Sequence, residues 1–281
     1  VALRAGDTAA GAAPLDDAFA RGEGLIMRDK FGPLGAAPRW RCGLLALLIL
    51  AQLPSAQAAG PTGPTPYPEQ LQDGPGQGWA PVFGWMTQNR KSFWAQRQAK
   101  QGAVVFVGDS LIGQWSSLMQ DFPDLLVANR GIGGDTSRAL LFRFGEDVMD
   151  LAPKAVVLLI GSNDLSSRQA VPVTVANIAQ ILDMVQTRKP GTPVILCTIA
   201  PRDHPKSRID VRQLDLLNVA LRSLAEQRPQ VSLLDLHGLL AQPDGSVTPA
   251  YVREDRLHLS PDGYKQWQAA LNARFSELGL R

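Results

Sequence analysis

The sequence predicts an α/β fold, a three-layer α/β/α sandwich built on a five-stranded parallel sheet. Three observations predict it. Five short β-rich runs recur after residue 100, and they are continuously apolar, as strands buried on both faces must be. Segments with helical spacing lie between them. The polar and glycine-rich clusters fall just after the runs, where open parallel sheets bind ligands.

Taken in order, residues 1–26 are rich in Ala, Gly and Asp and precede a plausible initiator at Met27, which suggests a start set too far upstream. Residues 27–58 read as a signal peptide. Arg28, Lys30, Arg39 and Arg41 form a basic n-region, "GLLALLILAQL" (43–53) an apolar h-region, and "AQA" (56–58) a small-residue cleavage site before Ala59. That apolar run of 11 residues falls short of the roughly 20 that a spanning helix needs, so no stable membrane anchor is expected. The expected location is therefore outside the cytoplasm, periplasmic or secreted. Residues 59–79 are dense in Pro and Gly without a period and read as a linker, leaving 80–281 as the folded domain.

"WAPVFGWMTQNRKSFWAQRQAKQ" (79–101) places Phe83, Met86, Phe93 and Trp94 at helical spacing and predicts an outer helix. Strands are expected at 103–108, 125–129, 155–161, 193–199 and 231–236. Helices are expected around 113–120, 136–150, 171–188, 209–227 and 261–279. Trp115 reads as a packing residue against the sheet, with stacking on a sugar ring as the alternative.

Composition narrows the function. A formal net charge of +2, with no Lys/Arg run interleaved with aromatics, gives little support to a nucleic-acid partner. His204, His237 and His258 are the three histidines, and no CxxC or HExxH occurs, so no zinc site is expected. Cys42 would leave with the signal peptide, and Cys197, inside "PVILCTIA", reads as an inert buried thiol.

Four polar clusters can converge at the carboxyl edge of the sheet. They are "GDS" (108–110), "NRGIGGDTS" (129–137), "GSND" (161–164) and "EDRLHLSPDGY" (254–264). Ser110 is a candidate nucleophile, His258 its base, and Asp255, three residues before His258, the group that orients the imidazole. The backbone N–H groups of Ser110 and Gly134 and the Asn163 amide are candidate oxyanion donors. Glu254 competes with Asp255, and the D-x-x-H spacing favours Asp255. Asp109 and Asp164 read as turn-shaping residues, His204 as a loop residue, and His237 as a histidine without an evident partner. A dinucleotide fingerprint at 131–136 is disfavoured because Thr136 stands in the third glycine's place and the cluster follows the second strand, not the first.

In this order and spacing, "GDS", "NRGIGGDTS", "GSND" and "DRLH" resemble the four blocks of the SGNH/GDSL hydrolases, over about residues 80–281. "GIGGDTSRALLFRF", "PRDHP" and "DRLHLSPDGY" are similar to the branch that contains the catalytic subunits of intracellular platelet-activating factor acetylhydrolase and bacterial relatives. The resemblance implies a flavodoxin-like fold with Ser110, Gly134, Asn163 and His258 in the signature roles and Asp255 as the acid. It implies a cofactor-free serine esterase acting on a small acyl ester. Joined to the predicted export, it suggests an O-acetylated carbohydrate, with a lysophospholipid or other lipid ester second. An acyltransferase using the same site and a non-catalytic glycan-binding module are the rival readings. Adjacency in sequence to the reacting residues nominates Leu111, Ser162 and Leu257 as the wall of a short acyl pocket.

Overall fold

The computed structural model describes residues 61–68, 74–202 and 208–281. The expected upstream segment, signal peptide and cleavage site, with Cys42, lie outside the described residues, as does His204. Five strands form one parallel sheet: β1 (Val104–Gly108), β2 (Val127–Gly131), β3 (Ala155–Leu159), β4 (Val194–Cys197) and β5 (Val231–Leu234). Their spatial order is β2-β1-β3-β4-β5, and β1 is paired in parallel with both β2 and β3. Each predicted run contains or overlaps a strand. The second lies two residues later than expected, because Asn129 to Gly131 continue the ladder opposite Phe106 to Gly108.

Every residue of β1, β3 and β4 is buried, which accounts for their unbroken apolar runs. Helices flank the sheet: α1 (Gly84–Gln96), α2 (Ser110–Gly113), α3 (Leu118–Asp121), α4 (Ser137–Asp147), α5 (Ser162–Ser166), α6 (Val171–Arg188), α7 (Val211–Glu226), α8 (Leu236–Leu240) and α9 (Pro261–Glu277). α6 packs against both α4 and α7, and α9 against α8. Phe106 of β1 anchors an aromatic cluster, with ring centroids 5.8 Å from Trp115, 5.4 Å from Phe122 and 6.2 Å from Phe275. Trp115 is therefore a core residue, its indole N–H donated to Asp121 Oδ2 at 2.6 Å.

The helix expected at 113–120 is two short helices, α2 and α3, separated by Gln114 to Ser117. α5 and α8 were not expected from spacing. Within the Pro/Gly-rich stretch, residues 61–68 and 74–79 are bonded to the fold rather than loose. Thr65 N donates to Glu146 at 2.9 Å, and Arg90 donates to the Thr65 carbonyl. Trp79 N donates to Gln169 at 2.8 Å, and Gln77 exchanges bonds of 3.0 and 2.9 Å with the Asn177 amide. A proline-rich chain keeps free carbonyls, and the buried Arg90 guanidinium takes one of them.

β1 reaches the site through a glycine. Gly108 has φ +156°, and a Cβ there would run into the Leu159 carbonyl of β3, so a larger residue would push these two central strands apart where the chemistry-bearing loops begin.

Candidate active site

The chain order reverses between β1 and β3, and that switch point is where open α/β sheets bind ligands. Ser110 stands at the first position of α2, directly after β1. Asp109 caps that helix by accepting the Leu111 N–H at 2.9 Å. Asp109 is buried, which pushes its carboxyl up against the pull of the Leu111 N–H, Arg202 and His258. It shapes the turn, as its sequence context suggests.

The loop before α9 brings His258 to this serine. Its Nε2 lies 3.0 Å from Ser110 Oγ and its Nδ1 lies 2.7 Å from Asp255 Oδ2. The second Asp255 oxygen accepts the N–H groups of Leu257 and His258 at 2.9 and 2.8 Å. Partial burial pushes the Asp255 carboxyl up. The backbone N–H of His258, the His258 ring and the Leu257 N–H outweigh that and hold it down at about 2. An antiparallel bridge between Val252 and Leu259 closes the loop's base, and Arg256 adopts φ +49° inside it. Asp255 and not Glu254 meets the imidazole; Glu254 lies exposed.

The loop after β2 passes over Ser110. A Cβ on Gly133 would sit 3.8 Å from that of Ser110, and Gly134 follows in the left-handed region at φ +83°. Asn163, at the start of α5, donates one amide hydrogen to the Asp135 carbonyl of this loop at 2.8 Å, which orients the amide and leaves its second hydrogen for a ligand. Trp85 of α1 donates its indole N–H to the Gly133 carbonyl at 2.9 Å.

Buried charge braces the same loop. Arg143 of α4 contacts Asp135 at 2.7 Å and Asp147 at 3.2 Å, and it donates to the Arg130 carbonyl at 2.9 Å. Burial drives the Asp135 carboxyl up to about 6 against the opposing Arg143 charge. Asp147 is shared with Arg90 of α1, which also reaches Glu146 at 2.6 Å. Asp164, after Asn163, accepts the Ser137 N–H at 2.9 Å and its hydroxyl at 2.5 Å, so it too is structural.

The nominated acyl wall does not form as expected. Leu111 is 1% exposed and belongs to the core, because α2 turns it inward while its carbonyl accepts the Tyr264 hydroxyl at 2.9 Å. The buried Ser162 hydroxyl accepts from Arg202 Nη2 at 2.9 Å. Leu257 is 41% exposed, beside His258. His237, which showed no partner in sequence, has Nδ1 3.1 Å from the Ile199 carbonyl and 3.3 Å from the Asn218 amide. Cys197 is buried, and burial pushes its thiol up to about 12. Among the described residues no group of three or more His, Cys, Asp or Glu could hold a metal ion, and no helix is long and apolar enough to cross a membrane.

Sequence reading missed two arginines at the site. Arg143 could have been found as a cation on the apolar stripe of α4, with Asp147 one turn on. Arg202 lies in an irregular loop after β4, where no period marks it.

A parallel sheet whose switch point carries a serine, a histidine and a carboxylate in hydrogen-bond contact defines a hydrolase of the α/β class. The chain belongs to the GDSL-like lipase/acylhydrolase family, whose model matches residues 101–266. It is a carboxylic-ester hydrolase. The alpha1 subunit of Homo sapiens platelet-activating factor acetylhydrolase IB is 31% identical over 221 residues, covering 76% of this chain and 90% of that protein. The Homo sapiens alpha2 subunit is 30% identical over 187 residues, covering 64% and 78%. The crystal structure of a GDSL-like lipase from Bacteroides thetaiotaomicron is similar at TM-score 0.60 and 25% identity, covering 67% of this chain and 97% of that one. An acetyl-xylooligosaccharide esterase from Geobacillus shares the fold at TM-score 0.50 and 21% identity, covering 61% and 93%.

Proposed function

We propose that the protein is an exported esterase that removes short acyl groups, chiefly acetyl, from carbohydrate through an acyl-Ser110 intermediate. The observation that carries the chemistry is the continuous contact from Ser110 Oγ through the His258 ring to Asp255, at 3.0 and 2.7 Å. Ser110 Oγ attacks the ester carbonyl as its proton passes to His258 Nε2, while Asp255 holds the Nδ1 hydrogen and the imidazolium that forms. The Ser110 and Gly134 N–H groups and the free Asn163 hydrogen take the charge on the former carbonyl oxygen. The alcohol leaves with the proton from His258. Water then attacks the acyl-serine, giving its proton to His258, and the carboxylic acid and free serine result.

Acetyl is supported by the names of the relatives, an acetylhydrolase and an acetyl-xylooligosaccharide esterase. Carbohydrate is supported by the second of these and by the export signal read in residues 27–58. A lipid ester is the second reading. Val82, Phe83 and Trp85 are 41%, 37% and 52% exposed, and Phe83 and Trp85 border the Gly133–Gly134 loop, where an apolar alcohol could rest.

Ser110→Ala is expected to abolish hydrolysis and organophosphate labelling while the circular dichroism spectrum is unchanged; near-normal turnover would sink the mechanism. Asn163→Ala is expected to lower kcat by roughly 100- to 1000-fold. Rates on acetylated xylan oligomers, acetyl and octanoyl esters of one alcohol, and lysophospholipid decide the substrate. A preference for octanoyl over acetyl would move the lipid ester ahead.

A further inference from the structure

Arg202 belongs to the "PRDHP" stretch after β4, and the mechanism above gives it no part. Its side chain is buried, and its two terminal nitrogens diverge, one to the start of α5 and one to the loop before α9. Nη2 donates to Ser162 Oγ at 2.9 Å, and Nη1 donates to the Leu257 carbonyl. Its charge is also felt by the buried Asp109 carboxylate. Each of these three neighbours stands one residue before a reacting group: Asp109 before Ser110, Ser162 before Asn163, and Leu257 before His258.

We propose that Arg202 is a positioning residue that sets the separation between the Asn163 amide and the His258 imidazole by bridging Ser162 and Leu257. The proposal rests on the catalytic reading of Ser110, Asn163 and His258. In the loop from Arg253 to His258, the β-bridge and the bond from Arg253 to Gln114 hold the near end, Asp255 and Leu257 are exposed, and Arg202 is the buried side chain that ties the Leu257 carbonyl to α5. The bonds to Ser162 and Leu257 span 40 and 55 residues of sequence, so α5 and the loop before α9 are joined by a side chain and not by the local backbone. The chemistry calls for arginine. Its rigid planar fork presents separate N–H groups to two acceptors at once, whereas a lysine carries one nitrogen and can serve only one well. Asp109 supplies a countercharge that eases burial of the guanidinium, which would otherwise be costly. Because the bridged groups act together only when ester and oxyanion are in place, loosening the bridge costs turnover more than binding. A misplacement on the order of 1 Å can cost about 100-fold in rate.

The test uses full-length protein with Arg202→Met, Arg202→Lys, Ser162→Ala and the Ser162→Ala/Arg202→Met double variant, assayed on 4-nitrophenyl acetate, with the folded fraction read by circular dichroism. Per folded molecule, Arg202→Met is expected to lose roughly 10- to 100-fold in kcat with KM within about threefold. Arg202→Lys should recover part of that loss. Ser162→Ala cuts one arm and should lose a few-fold, and the double variant should be no slower than Arg202→Met, because both changes break the same bridge. Wild-type kcat per folded Arg202→Met molecule would overturn the proposal. So would a double variant whose loss equals the product of the two single losses, or a loss carried by KM alone. Should Arg202→Met not fold, Ser162→Ala and Arg202→Lys decide it: wild-type kcat in both overturns the bridge, and a kcat loss in each supports it. Failure of the catalytic reading itself appears separately, as activity in Ser110→Ala.

Discussion

Asp255 carries two loads, since one oxygen holds the imidazole and the other accepts the two N–H groups of its own turn. With its carboxyl held down at about 2, it stays ionised throughout the range in which an esterase is assayed. Its stabilising contribution is present above the ordinary aspartate value of about 4 and is lost only as pH falls through the folded value. Asp255 therefore takes up no proton above about pH 4 and adds nothing to the acid slope of log kcat/KM there. A slope of two in a pH-rate profile would mean that Asp255, or Asp135 with its carboxyl raised to about 6, titrates in the same range. Ser110, Asp255 and His258 were legible in sequence because each sits in a short block whose local geometry travels with its residues. Leu111 was not, because adjacency to a nucleophile does not say which way a helix's first turn faces. Arg202 was not, because its partners lie 40 and 55 residues away in sequence.

Elements long enough to show a period were legible, and α6, α7 and α9 lie within a residue or two of their expected ends. α2, α5 and α8 have 4, 5 and 5 residues, fewer than two turns, so no stripe can mark them. α2 and α5 are nevertheless the elements that present Ser110 and Asn163. α9 illustrates the opposite division of labour. Trp267, Leu271 and Phe275 line its buried face, and its Tyr264 hydroxyl reaches the Leu111 carbonyl beside the site. Leu271→Ala should accordingly destabilise the fold by about 2–5 kcal/mol, seen as a lower urea midpoint, with kcat per folded molecule unchanged. A variant of normal stability would show that the leucine's space is refilled.

At the scale of the whole molecule, the stretch around Thr65, helices α1 and α4 and the loop over Ser110 are joined by one set of charges, in which Arg90 and Arg143 share Asp147. Little of this was legible, because residues that pair across the fold leave no spacing in the chain; only the Arg143–Asp147 step of one helical turn does. Arg143→Met should cost about 3–5 kcal/mol, since it leaves Asp135 buried without its cation. The deficit should also depend on pH. The Asp135 carboxyl is already raised, to about 6, and losing Arg143 raises it further. A raised carboxyl contributes stability that is complete below about 4 and is lost as pH rises through its folded value. The variant should thus lie closest to wild type in acid and furthest from it above pH 6. Denaturant midpoints at several pH values check this, and a deficit independent of pH would count against it.

Cys197 turns the sheet into a clock. The thiol sits on β4, fully buried against Trp267 of α9 and pushed up to about 12, so a water-borne alkylating reagent meets it when α9 lifts from the sheet. In a Cys42→Ser background, the rate of alkylation should report how often α9 leaves the sheet, without denaturant and without an optical probe. Ser162→Ala and Arg202→Lys should leave that rate close to wild type and Leu271→Ala should hasten it, separating loosened loops from a loosened fold on a single mass spectrum.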